Sequence, residues 1–134
     1  MIIDKKSNSI KIKQNNNINK RKLGKEYEEK AAIYLSDKGY RIIDKNIFTP
    51  FGEIDILAEE KETLVFVEIK YRSSNKCGDP LESVNYNKQK KICKSALYIY
   101  SRKGFYFDKP CRFDVVAINK DEINHVKNAF DFFM

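Results

Sequence analysis

The sequence predicts an α/β fold, a mixed central β-sheet flanked by helices. Two observations predict it. Apolar residues recur at helical spacing in two stretches and at strand spacing in five, in the order α-β-β-β-α-β-β. The central hairpin also carries apolar residues on both of its faces near its turn, which a sheet open to water on one side would not need. With 134 residues, the chain is sized for one domain around a single hydrophobic core. Residues 21–134 are expected to form it. Residues 1–20 are rich in Lys, Asn, Ser and Ile, bury no face, and are expected to be a flexible basic tail.

The first helix is expected from Leu23 to Lys38, ended by Gly39. Glu28 shares the face of Gly24, Ala31, Ala32 and Leu35, so a carboxylate sits on a small, apolar stripe. A strand over Tyr40–Ile47 leads through the turn Thr49-Pro50-Phe51-Gly52 into the hairpin, with strands Glu53–Glu59 and Leu64–Arg72. With Lys61 and Glu62 as the loop, Asp55 lies opposite Glu68 and Glu53 opposite Lys70. Ile54, Ile56, Ala58, Val65, Val67 and Ile69 then form one apolar face. The other face changes from Leu57, Leu64 and Phe66 to Glu53, Asp55, Glu68, Lys70 and Arg72 at the open end. A one-residue slip would drive charges into the core, so the pattern itself selects this register. Residues 73–83 predict a loop. A helix follows over Val84–Arg102, striped by Ile92, Ala96, Ile99 and by Cys93, Leu97, Tyr100, then strands Cys111–Ile118 and Glu122–Lys127.

Composition removes several functions. Cys77, Cys93 and Cys111 lack C-x-x-C spacing, and His125 is the one histidine, so neither a structural zinc site nor a disulfide framework is supported. The N-terminus has no apolar signal core, and the run Leu64–Val67 is far too short to span a bilayer. A cytoplasmic protein with no membrane partner is expected. The net charge of +7 is unevenly spread. Residues 1–25 carry eight basic residues against one acidic, residues 26–69 five against eleven, and residues 70–103 nine against two. An acidic centre between basic flanks suits a polyanion held over a cation-loaded site, although Lys-rich runs are more often merely solvated surface.

Opposed carboxylates repel, and a hard divalent cation resolves that repulsion. Asp55 and Glu68 are the expected ligands of Mg2+ or Mn2+. Lys70, two residues beyond Glu68, is placed to orient an attacking water or to stabilise charge on a phosphate. Glu28 closes the cluster from the helix. Glu53 is expected to support the cluster or pair with Lys70. Lys88 and Lys91 open the second helix beside the site and, with Arg72, are candidate phosphate contacts. Asp114 is expected to be structural or a support to the site, and His125 structural or exposed. The aromatics Tyr98, Tyr100, Phe105, Tyr106 and Phe107 are expected mainly in the core, with stacking on bases as the alternative, and Phe130, Phe132 and Phe133 to dock on the domain or on a partner. An E-x-K string alone is weak evidence, since a salt-bridged surface strand gives the same pattern.

Gly24-x-x-Tyr27-Glu28-x-x-Ala31, Gly39-Tyr40, Asn46, Gly52-Glu53-Ile54-Asp55, Phe66-Val67-Glu68-Ile69-Lys70-x-Arg72, Pro80-Leu81-Glu82-Ser83-Val84 with Lys88, and Arg112-Phe113-Asp114-Val115-Val116 resemble the bacterial YraN family. That family is assigned to the PD-(D/E)xK, restriction-endonuclease-like superfamily and likened to archaeal Holliday junction resolvases. The resemblance runs from about residue 23 to residue 130. It implies a restriction-endonuclease-like fold, with metal-binding acids at Asp55 and Glu68, the catalytic lysine at Lys70 and the helical acid at Glu28. Tyr27 stands where relatives usually have Gly, and the motif's Pro before Asp is absent. The expected activity is metal-dependent hydrolysis of phosphodiester bonds in DNA, on branched or single-stranded structures, with pairing of two copies left open. The alternatives are a non-catalytic nucleic-acid-binding or scaffolding module on the same fold, and a purely structural ion network.

Overall fold

A computed structural model describes residues 22–72, 84–102, 108–120 and 122–134. The expected tail over residues 1–20, the loop over 73–83 with Pro80-Leu81-Glu82-Ser83, and the aromatics Phe105, Tyr106 and Phe107 lie outside the described residues. The elements follow the predicted order: helix α1 over residues 22–37, then β1 (Arg41–Thr49), β2 (Gly52–Glu60), β3 (Thr63–Tyr71), α2 (Tyr86–Arg102), β4 (Cys111–Ile118) and β5 (Ile123–Val126). The strands form one mixed five-stranded sheet in sequence order. Its pairings are antiparallel except β3 with β4, which run parallel with α2 as their crossover.

Local chemistry sets the boundaries. At the end of α1, Gly39 takes φ 94°. Its amide donates to the carbonyl of Ser36, and that of Tyr40 to the carbonyl of Leu35. This pair of bonds closes the helix and throws the Leu35 and Tyr40 side chains together. Asn85 caps α2 by accepting the amide of Lys88 at 2.9 Å. The β2–β3 loop is Lys61-Glu62, both at positive φ (47° and 72°), and the ladder from Glu60↔Thr63 to Ile56↔Val67 keeps the predicted register.

Both faces of the sheet are buried. On one side α2 sets Ile92, Cys93, Ala96 and Ile99 against Leu57, Leu64, Phe66, Phe113 and Val115. On the other, Ala31, Ala32 and Leu35 of α1 meet Ile56, Ala58, Val65, Val67 and Val116. Ile54 corrects the expected face assignment: it packs on the α2 side with Leu57 rather than with Ile56. The recorded β2–β3 ladder stops at Ile56↔Val67, so beyond it β2 follows β1 and its alternation turns over relative to β3.

At the hairpin-turn end, Asp114 is fully buried and richly bonded. It accepts from Tyr40 Oη (2.9 Å), Arg112 Nε (3.0 Å) and the amide of Asn128 (3.0 Å), and its Oδ2 lies 2.8 Å from His125 Nε2. Burial pushes its pKa up, but the bonds from His125, Arg112, Asn128 and Tyr40 outweigh burial and hold it at about 2. Asp114 and His125 are thus structural, as expected. Phe130 stacks on Phe113 at 4.8 Å and Phe133 on Tyr86 at 5.0 Å, so the C-terminal aromatics dock on the domain. No described helix is long and apolar enough to cross a membrane.

Candidate functional site

At the opposite end of the hairpin, the β1–β2 turn presents the first acid. Thr49 Oγ1 accepts the amides of Phe51 and Gly52 and lies 2.9 Å from Ser95 Oγ on α2, which pins the turn to the helix. Gly52 adopts φ 152°, a conformation that disfavours any side chain. Glu53 and Asp55 follow on β2. Glu28 reaches them from α1, and one carboxylate oxygen from each of Glu28, Glu53 and Asp55 can lie within 4.8 Å of the others. Asn46, at φ 52°, donates from Nδ2 to Glu28 Oε2 at 3.1 Å and so fixes the helical acid over the strands. Asparagine tolerates the left-handed backbone this requires.

Asp55 sits where the recorded β2–β3 ladder ends. Its Oδ2 accepts the amide of Ile69 at 2.8 Å, doing what a backbone carbonyl would do one step further along the ladder. Burial raises its pKa to about 8; Glu68, both by charge and by a side-chain hydrogen bond, adds to the rise, and the Ile69 amide opposes it. Glu53 is raised as well, first by burial, then by Glu28 and Glu68, with Lys88 acting against them. Glu68 is buried and holds two ammonium groups, Lys88 Nζ at 3.3 Å and Lys70 Nζ at 3.4 Å.

Glu28, Asp55, Glu68, Lys70 and Lys88 therefore converge at one end of the sheet, with Glu28 arriving from α1 and Lys88 from α2. The tight carboxylate group is Glu28, Glu53 and Asp55, while Glu68 stands next to it with the lysines. Lys70 pairs with Glu68 rather than opposite Glu53. Lys91 is exposed on α2. Arg72 lies beyond β3 with its Nε buried and no hydrogen-bond partner among the described residues. Spacing on its own gave Glu53 only a supporting role. What makes it a member is the turnover at Ile54, which puts Glu53 and Asp55 together on the side of Glu28 and has no signature in the local sequence. Asn46 carries no signal beyond a polar residue in an otherwise strand-like run.

The group offers three hard oxygen donors and no sulfur or nitrogen, which fits Mg2+ or Mn2+ and not a soft cation. Burial first, and then the charge of Glu68, keeps the Asp55 carboxyl well above the usual carboxylate range.

A model of uncharacterised protein family UPF0102 matches residues 27–118, a span that holds every residue of this cluster. The UPF0102 protein of Thermodesulfovibrio yellowstonii is 52% identical over 108 residues, covering 81% of this chain and 95% of its own. That of Persephonella marina is 45% identical over 108 residues (81% and 92%), and that of Lachnoclostridium phytofermentans 45% identical over 114 residues (85% and 97%).

Proposed function

The chain belongs to uncharacterised protein family UPF0102, and on that premise we propose that it is a divalent-metal-dependent endonuclease that hydrolyses phosphodiester bonds in DNA. The observation that carries this reading is the meeting of Glu28, Glu53 and Asp55 carboxylates within 4.8 Å, beside a buried Glu68 that holds Lys70 and Lys88. The resemblance to the PD-(D/E)xK superfamily supports it, since Asp55, Glu68 and Lys70 fill that motif and Glu28 the helical acid.

Glu28, Glu53 and Asp55 would hold Mg2+ or Mn2+, with Glu68 completing the set. When bound, the cation supplies charge to a phosphate oxygen and acidity to a water. Lys70, anchored on Glu68, orients the attacking water and offsets the charge that develops on phosphorus-bound oxygens. Water adds to phosphorus and gives up a proton to solvent, the bond from phosphorus to the leaving oxygen breaks, and that oxygen takes up a proton from solvent. Lys88 both neutralises Glu68 and points a second cation toward the incoming backbone.

The test incubates the full chain with linear duplex, single-stranded and four-way-junction DNA in Mg2+, Mn2+ or EDTA, beside Asp55→Ala and Lys70→Ala. Metal-dependent cleavage lost in both variants is expected. Cleavage that survives both substitutions overturns the site. Binding without cleavage under every metal favours the non-catalytic module instead.

A further inference from the structure

Phe48 is 77% exposed, belongs to neither core cluster, and is the direct cross-strand partner of Glu53. Cross-strand partners share a face, with Cβ atoms about 4.5–5.5 Å apart. Ile47 packs toward α2 together with its own partner Ile54. Phe48 therefore stands on the other side, the side of Asn46, Glu53, Asp55 and Glu28. A bare aromatic ring is thus set at the lip of the carboxylate cluster, on β1, an edge strand among the described residues. Charges commonly protect such edges from unwanted pairing, and an exposed ring is a costly choice.

We propose that Phe48 stacks on an unpaired nucleobase next to the phosphate held at the cluster, so that the substrate class is nucleic acid with single-stranded or unstacked character at the cut. This rests on the nuclease reading and deepens it. Three features favour this occupant. The neighbours of Phe48 on its face, Asn46 and Glu53, are polar, so the ring is a single platform and not part of the broad apolar patch a protein partner would cover. The opening turns of α2 carry Lys88, Lys90, Lys91 and Lys94, complementary to a phosphate backbone. A ring beside the cluster meets only sugar and phosphate in an intact duplex, but the face of any base that has left the stack. On the flank across the cluster, Tyr27, next to Glu28, packs against Tyr71, next to Lys70, at 4.2 Å, and Tyr71 is 43% exposed.

The experiment uses the full chain with Phe48→Ala, Phe48→Leu and Phe48→Tyr. Binding is followed in EDTA and in Ca2+ with 2-aminopurine placed in a single strand, in a duplex with a one-base bulge, and in a perfect duplex. The expected result is quenching on the first two substrates. Phe48→Ala and Phe48→Leu should weaken binding to them by roughly tenfold and abolish quenching, while Phe48→Tyr retains both. Equal affinity of the wild type for perfect duplex, or wild-type behaviour of Phe48→Ala, overturns the proposal. So does a Phe48-dependent change of mass in sedimentation, which would make the ring a self-association contact. Cleavage in Mn2+ separates the two readings. Phe48-dependent quenching with no cleavage under any metal sinks the nuclease and leaves the stacking site. Cleavage indifferent to Phe48 does the reverse. Thermal unfolding checks that the exposed substitution leaves the fold intact.

Discussion

Between pH 3.8 and about 8 the buried carboxyl of Asp55 keeps a proton that the unfolded chain has already released, because burial and the neighbouring Glu68 oppose its ionisation. The folded state binds the extra proton throughout that window, so raising the pH across it withdraws stability. Asp55→Asn removes the ionising group and keeps an oxygen for the amide of Ile69. It should raise stability at pH 8 by at least about 1 kcal/mol, with the gain fading toward pH 4. Urea unfolding at both pH values measures it, and equal midpoints at pH 8 would contradict the burial cost. The same variant should lose the Mn2+-induced rise in melting temperature that the wild type shows, because ligation releases the proton Asp55 holds and adds binding energy to the folded state. One carboxyl thus weakens the empty fold and strengthens the metal-loaded one.

The β2–β3 hairpin shows why some of the site was legible in the sequence and some was not. Apolar alternation and a two-residue loop were enough to predict the register, and the ladder follows it from Glu60↔Thr63 to Ile56↔Val67. Glu28 was legible from helical spacing, since a carboxylate on the stripe of Ala31, Ala32 and Leu35 has to go somewhere polar. The turnover at Ile54 was not legible. It depends on β1 continuing to pair with β2 past the end of the recorded β2–β3 ladder, a tertiary event with no local signature. That is why Glu53 joins the carboxylate group and Glu68 stands beside it. Phe48 was hidden as well, because the strand was expected to end at Ile47, whereas β1 runs on to Thr49 and pairs Phe48 with Glu53. The loop of the same hairpin yields a prediction. Lys61 and Glu62 both occupy left-handed backbone, which costs non-glycine residues about 1–2 kcal/mol each. Replacing them by Asn and Gly matches the demand of such a turn. The double variant should gain about 1 kcal/mol in urea unfolding, and unchanged or lower stability would mean the turn is not strained.

At the scale of the molecule, charge is arranged in bands. Eleven acidic residues against five basic ones lie within residues 26–69, and nine basic against two acidic within residues 70–103. The sheet carries the acidic cluster and α2 carries lysines past it, so a polyanion is drawn by the helix and met by the site. Binding to single-stranded DNA should fall at least about tenfold between 50 and 200 mM salt as counterions are released. Lys90→Ala with Lys91→Ala should flatten the log–log salt slope by about 2 without altering cleavage at saturating substrate. Anisotropy titrations measure the slope, and an unchanged one would remove these lysines from the interface.

Asp114 has a consequence for how the molecule comes into being. Its carboxylate takes one bond from Tyr40, near the start of the described chain, and others from His125 and Asn128, near its end. β4, which bears it, is also the parallel partner on which the Glu68–Lys70 stretch of β3 is laid. During synthesis, therefore, the strand that supports the acidic centre has its buried charge satisfied only once residues 125 to 128 have been made and can reach back. At about 5–20 residues per second the stretch from Tyr40 to Asn128 takes several seconds to make, and Asp114 gains its full set of partners only when that stretch is complete. Residues 125–128 thus act as a latch on the strand that lies beside Glu68 and Lys70.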